Sequence, residues 1–234
     1  MIKIFRDTDE LSQFAVVAFI ETANQSIAKR GRFLVALSGG STPMKLYGRL
    51  ASETLDWSRV HFFWGDERCV PVDDAGNNYG QTKKVLFDKI GKTNIHRISS
   101  ELEPGSAAKD YAQTLSGFAD APFSFPRFDL VLLGMGDDGH TASLFPGSPI
   151  DIKTPALAVT AHYQDRPANR VTLSPLVFNQ AREIWFLVTG AGKAETLRNV
   201  LKGERNLEKY PAQRIQPVDG NLVWMVAEAA GSFL

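Results

Sequence analysis

Short unbroken apolar runs alternate along this chain with stretches whose apolar residues recur every three or four positions. Residues 33–38, 60–64, 128–133, 183–188 and 222–226 are runs of the first kind, and 156–160 is a less apolar one. Continuous apolar runs of this length, bounded by turn residues, read as strands buried on both faces. Between them, Leu11, Phe14, Ala15, Ala18 and Ile27 mark the first helix, capped by Asp7 or Thr8 and stopped at Gly31. A second helix is expected from about Pro43, and a short one from Thr141. The alternation predicts an α/β fold: one Rossmann-like domain, residues 1–234, with a mostly parallel central sheet covered by helices on both faces. No internal repeat or polar linker divides it, and residues 120–126, with two prolines and two phenylalanines, read as a surface connection.

Composition narrows the function. The 26 basic and 26 acidic residues cancel, and no dense Lys/Arg run marks a nucleic-acid partner. A single cysteine, Cys69, excludes an intramolecular disulfide and fits a reducing compartment. The opening residues lack a signal-peptide pattern, and no apolar run approaches the ~20 residues that span a bilayer. A cytoplasmic protein that binds no membrane is therefore expected, with its oligomeric state left open.

Four segments at the ends of these strands offer chemistry. Ser38-Gly39-Gly40-Ser41-Thr42-Pro43 combines close backbone approach with the N–H groups of a helix start, a cradle for phosphate. An ordinary capped turn is the simpler reading, and neither the Walker nor the dinucleotide fingerprint is present. Trp64-Gly65-Asp66-Glu67-Arg68 sets three charges directly after an apolar run, as bases and an anion grip or as an internal ion pair. Gly134-Met135-Gly136-Asp137-Asp138-Gly139-His140 holds a histidine suited to proton transfer, beside carboxylates that can fix its tautomer. The N–H groups of Gly134, Gly136 and Gly139 are candidate oxyanion donors. One histidine with neighbouring acids is a thin metal-ligand set. Arg170 and Lys193, the latter again between a strand and a helix, can reach an anion held by the other loops. Asn77 and Asn78 read as turn residues, and His61, His96 and His162 have no comparable setting.

Together with the continuation Thr141-Ala142-Ser143-Leu144-Phe145-Pro146 and with Gly190-Ala191-Gly192-Lys193, these motifs resemble the 6-phosphogluconolactonase family from the first helix to the last strand. Glucosamine-6-phosphate deaminases share the Ser-Gly-Gly and Asp-Gly-His elements. The Gly65-Asp66-Glu67-Arg68 segment and residues 141–146 favour the lactonase. The resemblance implies hydrolysis of 6-phospho-D-glucono-1,5-lactone to 6-phosphogluconate, in the oxidative pentose phosphate pathway, without metal or organic cofactor. It implies His140 as general base toward water, with Asp66, or its rival Asp138, orienting it. Gly39, Gly40, Ser41, Thr42, Arg68, Arg170 and Lys193 would hold the sugar phosphate. A non-catalytic sugar-phosphate sensor is the reading from another class.

Overall fold

Helix α1 (Thr8–Arg30) begins where the sequence places it. Asp7 accepts the Glu10 N–H at 2.9 Å, Asp9 and Glu10 sit in the positive first turn, and Lys29 and Arg30 in the last. It stops at Gly31, whose φ of 74° is left-handed and whose N–H closes on Ile27 O at 2.8 Å. In the computed structural model, which describes residues 1–164 and 166–234, seven strands form one sheet. They are β1 (Ile2–Phe5), β2 (Phe33–Leu37), β3 (Val60–Trp64), β5 (Asn94–Ile95), β6 (Leu130–Leu133), β9 (Glu183–Val188) and β10 (Asn221–Ala227). The order is β1-β10-β9-β6-β2-β3-β5 and every pairing is parallel. With α1, α2 (Ser41–Leu50), α4 (Pro104–Ser116) and α6 (Ala194–Lys202) flanking the sheet, the predicted α/β class stands. The central β2 and β6 are buried at every position, which is why they read as unbroken apolar runs.

Chain order reverses between β2 and β6, so the loops leaving their carboxyl ends part and open a crevice, the place where open α/β sheets bind ligands. A second, antiparallel sheet stands beside it: β4 (Asp66–Arg68), β8 (Asn169–Leu173) and β7 (Ala156–Thr160). The run at 156–160 thus belongs to this sheet and not to the central one. Gly65 alone separates β3 from β4, and the register sets Asp66 opposite Thr172 and Arg68 opposite Arg170. The helix expected from Thr141 is absent. Residues 141–144 form a tight turn closed by a bridge between Thr141 and Leu144, because Thr141 and Ser143 spend their hydroxyls on neighbouring segments. After β4, α3 (Asn78–Thr82) continues into a π-helical turn, and α5 (Pro175–Phe178) leads to β9.

Candidate active site

The crevice at the β2/β6 switch point is a cleft of about 210 Å³. One wall is the start of α2. Its N-cap is Gly40, with φ 102°; no side chain caps it, and residues 39–43 line the opening, so the uncapped helix start borders the cleft. Helix α2 starts at Ser41, two residues before the expected Pro43. Thr42 is buried and shares a 2.7 Å hydrogen bond with the hydroxyl of Thr189, which ties the cradle to the end of β9. Gly39 is required sterically, since a Cβ there would collide with the Asn78 amide oxygen.

The opposite wall is the loop after β6. His140 Nδ1 lies 2.6 Å from Asp138 Oδ1, which also accepts the His140 N–H at 3.1 Å. Burial pushes the Asp138 carboxyl up, but the His140 hydrogen bond and charge outweigh it and hold the group below its ordinary value. An ionised carboxylate only accepts, so Nδ1 carries the proton and the imidazole lone pair is on Nε2. Gly136 is fixed by the same geometry: a Cβ there would run into the His140 ring.

Two expectations change here. Among the described residues no hydrogen bond joins Asp66 to His140; its Oδ2 accepts the Ser143 hydroxyl at 2.6 Å, because β4 points this carboxylate at the turn that follows the histidine. The Gly136 and Gly139 N–H groups are not free for an oxyanion either. Gly136 donates to His140 O at 2.9 Å and Gly139 to Gly136 O at 3.1 Å, the bonds that close the loop. Gly134 lines the cleft, as do residues 39–43 at the uncapped start of α2.

Arg68, Arg166, Arg170 and Lys193 line the cleft against Asp66 and Asp137, so its charge favours an anion. Arg170 is 2% exposed; its Nε donates to Pro167 O at 3.0 Å, while one terminal nitrogen has no partner among the described residues. Arg68 donates to Gly76 O at 2.6 Å and leaves its Nε unpaired in the same sense. Burial lowers the Arg170 guanidinium, only partly offset by Asp66, and Arg68 lowers it further. Burial likewise lowers the Lys193 amine, against the pull of Asp137. Such cations gain most from an incoming dianion, which replaces the solvation they lack.

The sequence reading missed several cleft residues, Asn78, Tyr163 and Arg166 among them. Asn77 is the turn residue expected, capping α3 by accepting the Gly80 N–H at 2.8 Å. Asn78 is something more: buried, it donates to Asp66 O at 3.0 Å and packs its oxygen under Gly39, joining β4 to the cradle. Nothing in the local pattern separates the two. Tyr163 and Arg166 lie in the loop between β7 and β8, far from any glycine-rich signal, though Arg166 was visible as a charge near Arg170. Glu67 turns away from the cleft and accepts the Arg68, Asn78 and Tyr79 N–H groups at 2.7–2.8 Å.

Fold and site define an α/β domain built around a cationic switch-point cleft with a carboxylate-held histidine. The chain belongs to the glucosamine-6-phosphate isomerase/6-phosphogluconolactonase family, whose model matches residues 6–224. It is similar to the 6-phosphogluconolactonase of Synechocystis sp., 38% identical over 228 residues, covering 96% of this chain and 94% of the relative. The Haemophilus influenzae 6-phosphogluconolactonase is 39% identical over 84% of this chain and 85% of its own length. Among solved structures, the 6-phosphogluconolactonase of Thermotoga maritima superposes with a TM-score of 0.85 at 28% identity, over 97% of this chain and 99% of that one. No helix among the described residues is long and apolar enough to cross a membrane.

Proposed function

We propose that this protein hydrolyses 6-phospho-D-glucono-1,5-lactone to 6-phosphogluconate, as a cytoplasmic enzyme of the oxidative pentose phosphate pathway. The observation that carries the reading is the Asp138–His140 pair facing a cleft of cations at the α2 start, in a chain of this family. Arg68, Arg170 and Lys193, with the Gly39, Gly40, Ser41 and Thr42 cradle, hold the 6-phosphate and thereby place C1 near the imidazole. His140 Nε2 takes a proton from water as its oxygen bonds to C1, and Asp138 keeps the resulting imidazolium in place. The carbonyl oxygen becomes an oxyanion, stabilised by the Gly134 backbone N–H on the histidine side of the cleft, a donor separate from the phosphate cradle. Collapse expels the ring oxygen, which takes the proton back from His140 and becomes a hydroxyl. Asp66, held by Ser143, lines the same cleft.

The deciding measurement is the loss of freshly generated lactone above its spontaneous hydrolysis. Wild type accelerates it, and His140→Ala lowers kcat by at least ~100-fold, the usual scale for a general base. Near-normal turnover in that variant removes His140 from the role. Ammonia release from glucosamine 6-phosphate without lactone clearance replaces the reading with the deaminase one.

A further inference from the structure

Directly after His140 the chain doubles back on itself. Leu144 N–H donates to Thr141 O at 2.9 Å, and the turn forces Ala142 to φ 49°, a left-handed conformation that a Cβ resists. Three hydrogen bonds pin this strained turn. Thr141 Oγ1 donates to Gly134 O at 2.8 Å, Ser143 Oγ to Asp66 Oδ2 at 2.6 Å, and Phe145 N–H to Ser148 Oγ at 2.9 Å. The outcome is the placement of one ring. The Phe145 centroid lies 4.4 Å from that of His140 with the planes inclined 31°, and the Arg170 guanidinium carbon lies 5.2 Å over the same ring. Tyr163 closes the other contact, edge-on to the imidazole at 4.6 Å. Segment 141–146 is also the part of the histidine motif that the proposed chemistry leaves without a direct role.

We propose that Phe145 is a positioning residue whose ring sets the spacing of His140 and Arg170 and stabilises the positive charge that forms on the imidazole. It rests on the reading of His140 as the base. The face of an aromatic ring is electron-rich, so it attracts a cation and is close to indifferent to a neutral imidazole. Its contribution therefore appears when the proton arrives, which places it in the transition state and in kcat more than in KM. Arg170, a like charge, opposes that protonation, and the ring that contacts both keeps the guanidinium from closing on the imidazole.

The charged and titratable groups around the imidazole come from every neighbouring element. Asp137 and Asp138 belong to its own loop, Tyr163 and Arg166 to the β7–β8 loop, Asp66 and Arg68 to β4, Arg170 to β8, and Lys193 to the turn before α6. All of them stay in place when only the ring electrons of residue 145 are altered, and only the ring's contacts with His140 and Arg170 weaken. Replacing Phe145 with mono-, di- and trifluorophenylalanine weakens the electron-rich face and nearly keeps the shape. The titration midpoint of the His140 imidazole, read by NMR, should fall stepwise, by about 0.5–1 pH unit for the trifluoro ring. At a pH well above the midpoint the kcat for the lactone should fall in step, by up to about 3–10-fold, with any rise in KM through the Arg170 contact the smaller change. Phe145→Leu should add a rise in KM through Arg170; if that variant fails to fold, the fluorinated series still decides. A flat midpoint across the series overturns the proposal, as does a stepwise midpoint with unchanged kcat. If wild type shows no lactone hydrolysis, the functional reading falls, while the midpoint series still reports whether the ring feels the charge of His140.

Discussion

His140 and Asp138 stand two positions apart in one loop, and that short tether makes a 2.6 Å contact inexpensive: no distant segment must be ordered to form it. Asp66, by contrast, reaches the histidine only through Ser143 and the turn behind it. The two carboxylates therefore separate by experiment. Asp138→Asn should lower kcat on the order of 10²-fold by removing the acceptor that fixes the Nδ1 proton, with KM little changed. Asp66→Asn should cost much less in kcat, and equal losses would return the orienting role to both. Lys193 carries a pH signature as well. Burial places its amine below the ordinary lysine value near 10.5, so it loses its charge at a lower pH than a solvated lysine does. KM should accordingly rise on the alkaline side at a pH below that value, and Lys193→Met should raise KM and erase the alkaline rise. An alkaline rise that survives in Lys193→Met assigns it to another group.

At the level of elements, the site depends on how β4, α3 and the α2 cradle interlock. Asn78 is the joint, with its amide nitrogen on Asp66 O and its oxygen under Gly39. Gly39→Ala forces the two apart and should raise KM several-fold, by analogy with other ~1 Å displacements of binding groups, while circular dichroism stays native. Unchanged KM would show the cradle to be independent of Asn78. The same elements show what the sequence could display. Helix α1 and the strands β2, β3, β6, β9 and β10 were legible because burial on both faces leaves an unbroken apolar run and because caps are local. The β2 and β6 loops were legible for the same reason, being glycine-rich and adjacent to those runs. Strand β4 was not, since its three residues are all charged and pair with β8, about a hundred positions away. Strand β1, only four residues long and half exposed at the sheet edge, has too little pattern to register. The partner of His140 was narrowed to two carboxylates, and only the fold of the turn at 141–144 chose between them.

Across the whole molecule, a pair of histidines outside the cleft makes stability respond to acid. His61 on β3 and His96 beside β5 share a 3.1 Å hydrogen bond at the sheet edge, packed against Phe63 and Phe118 and near Arg32. Burial, and then the charge of His61, push His96 down to about 4, and burial and Arg32 lower His61 too. Above the unfolded value of 6.5 neither state takes these protons, so the neutral pair supports the fold fully there. As pH falls below it, the unfolded chain binds protons that the folded pair refuses, and stability is lost until pH passes through about 4. Glu67 works in the opposite direction. Burial lifts its carboxyl to about 7 despite three backbone N–H donors, so its contribution is complete below the ordinary 4.5 and is lost as pH rises through about 7. Between pH 7 and 4.5 the two trends oppose each other, and the wild-type curve alone conceals both. His96→Phe removes the His96 part of the first while keeping an aromatic ring against Phe63 and Phe118. In urea unfolding, the variant's stability relative to wild type should improve steadily from pH 6.5 to 4.5, with kcat at pH 7 unchanged because the cleft lies at the strand ends. A difference that stays constant across that range would mean that the histidine pair is protonated as readily in the fold as out of it.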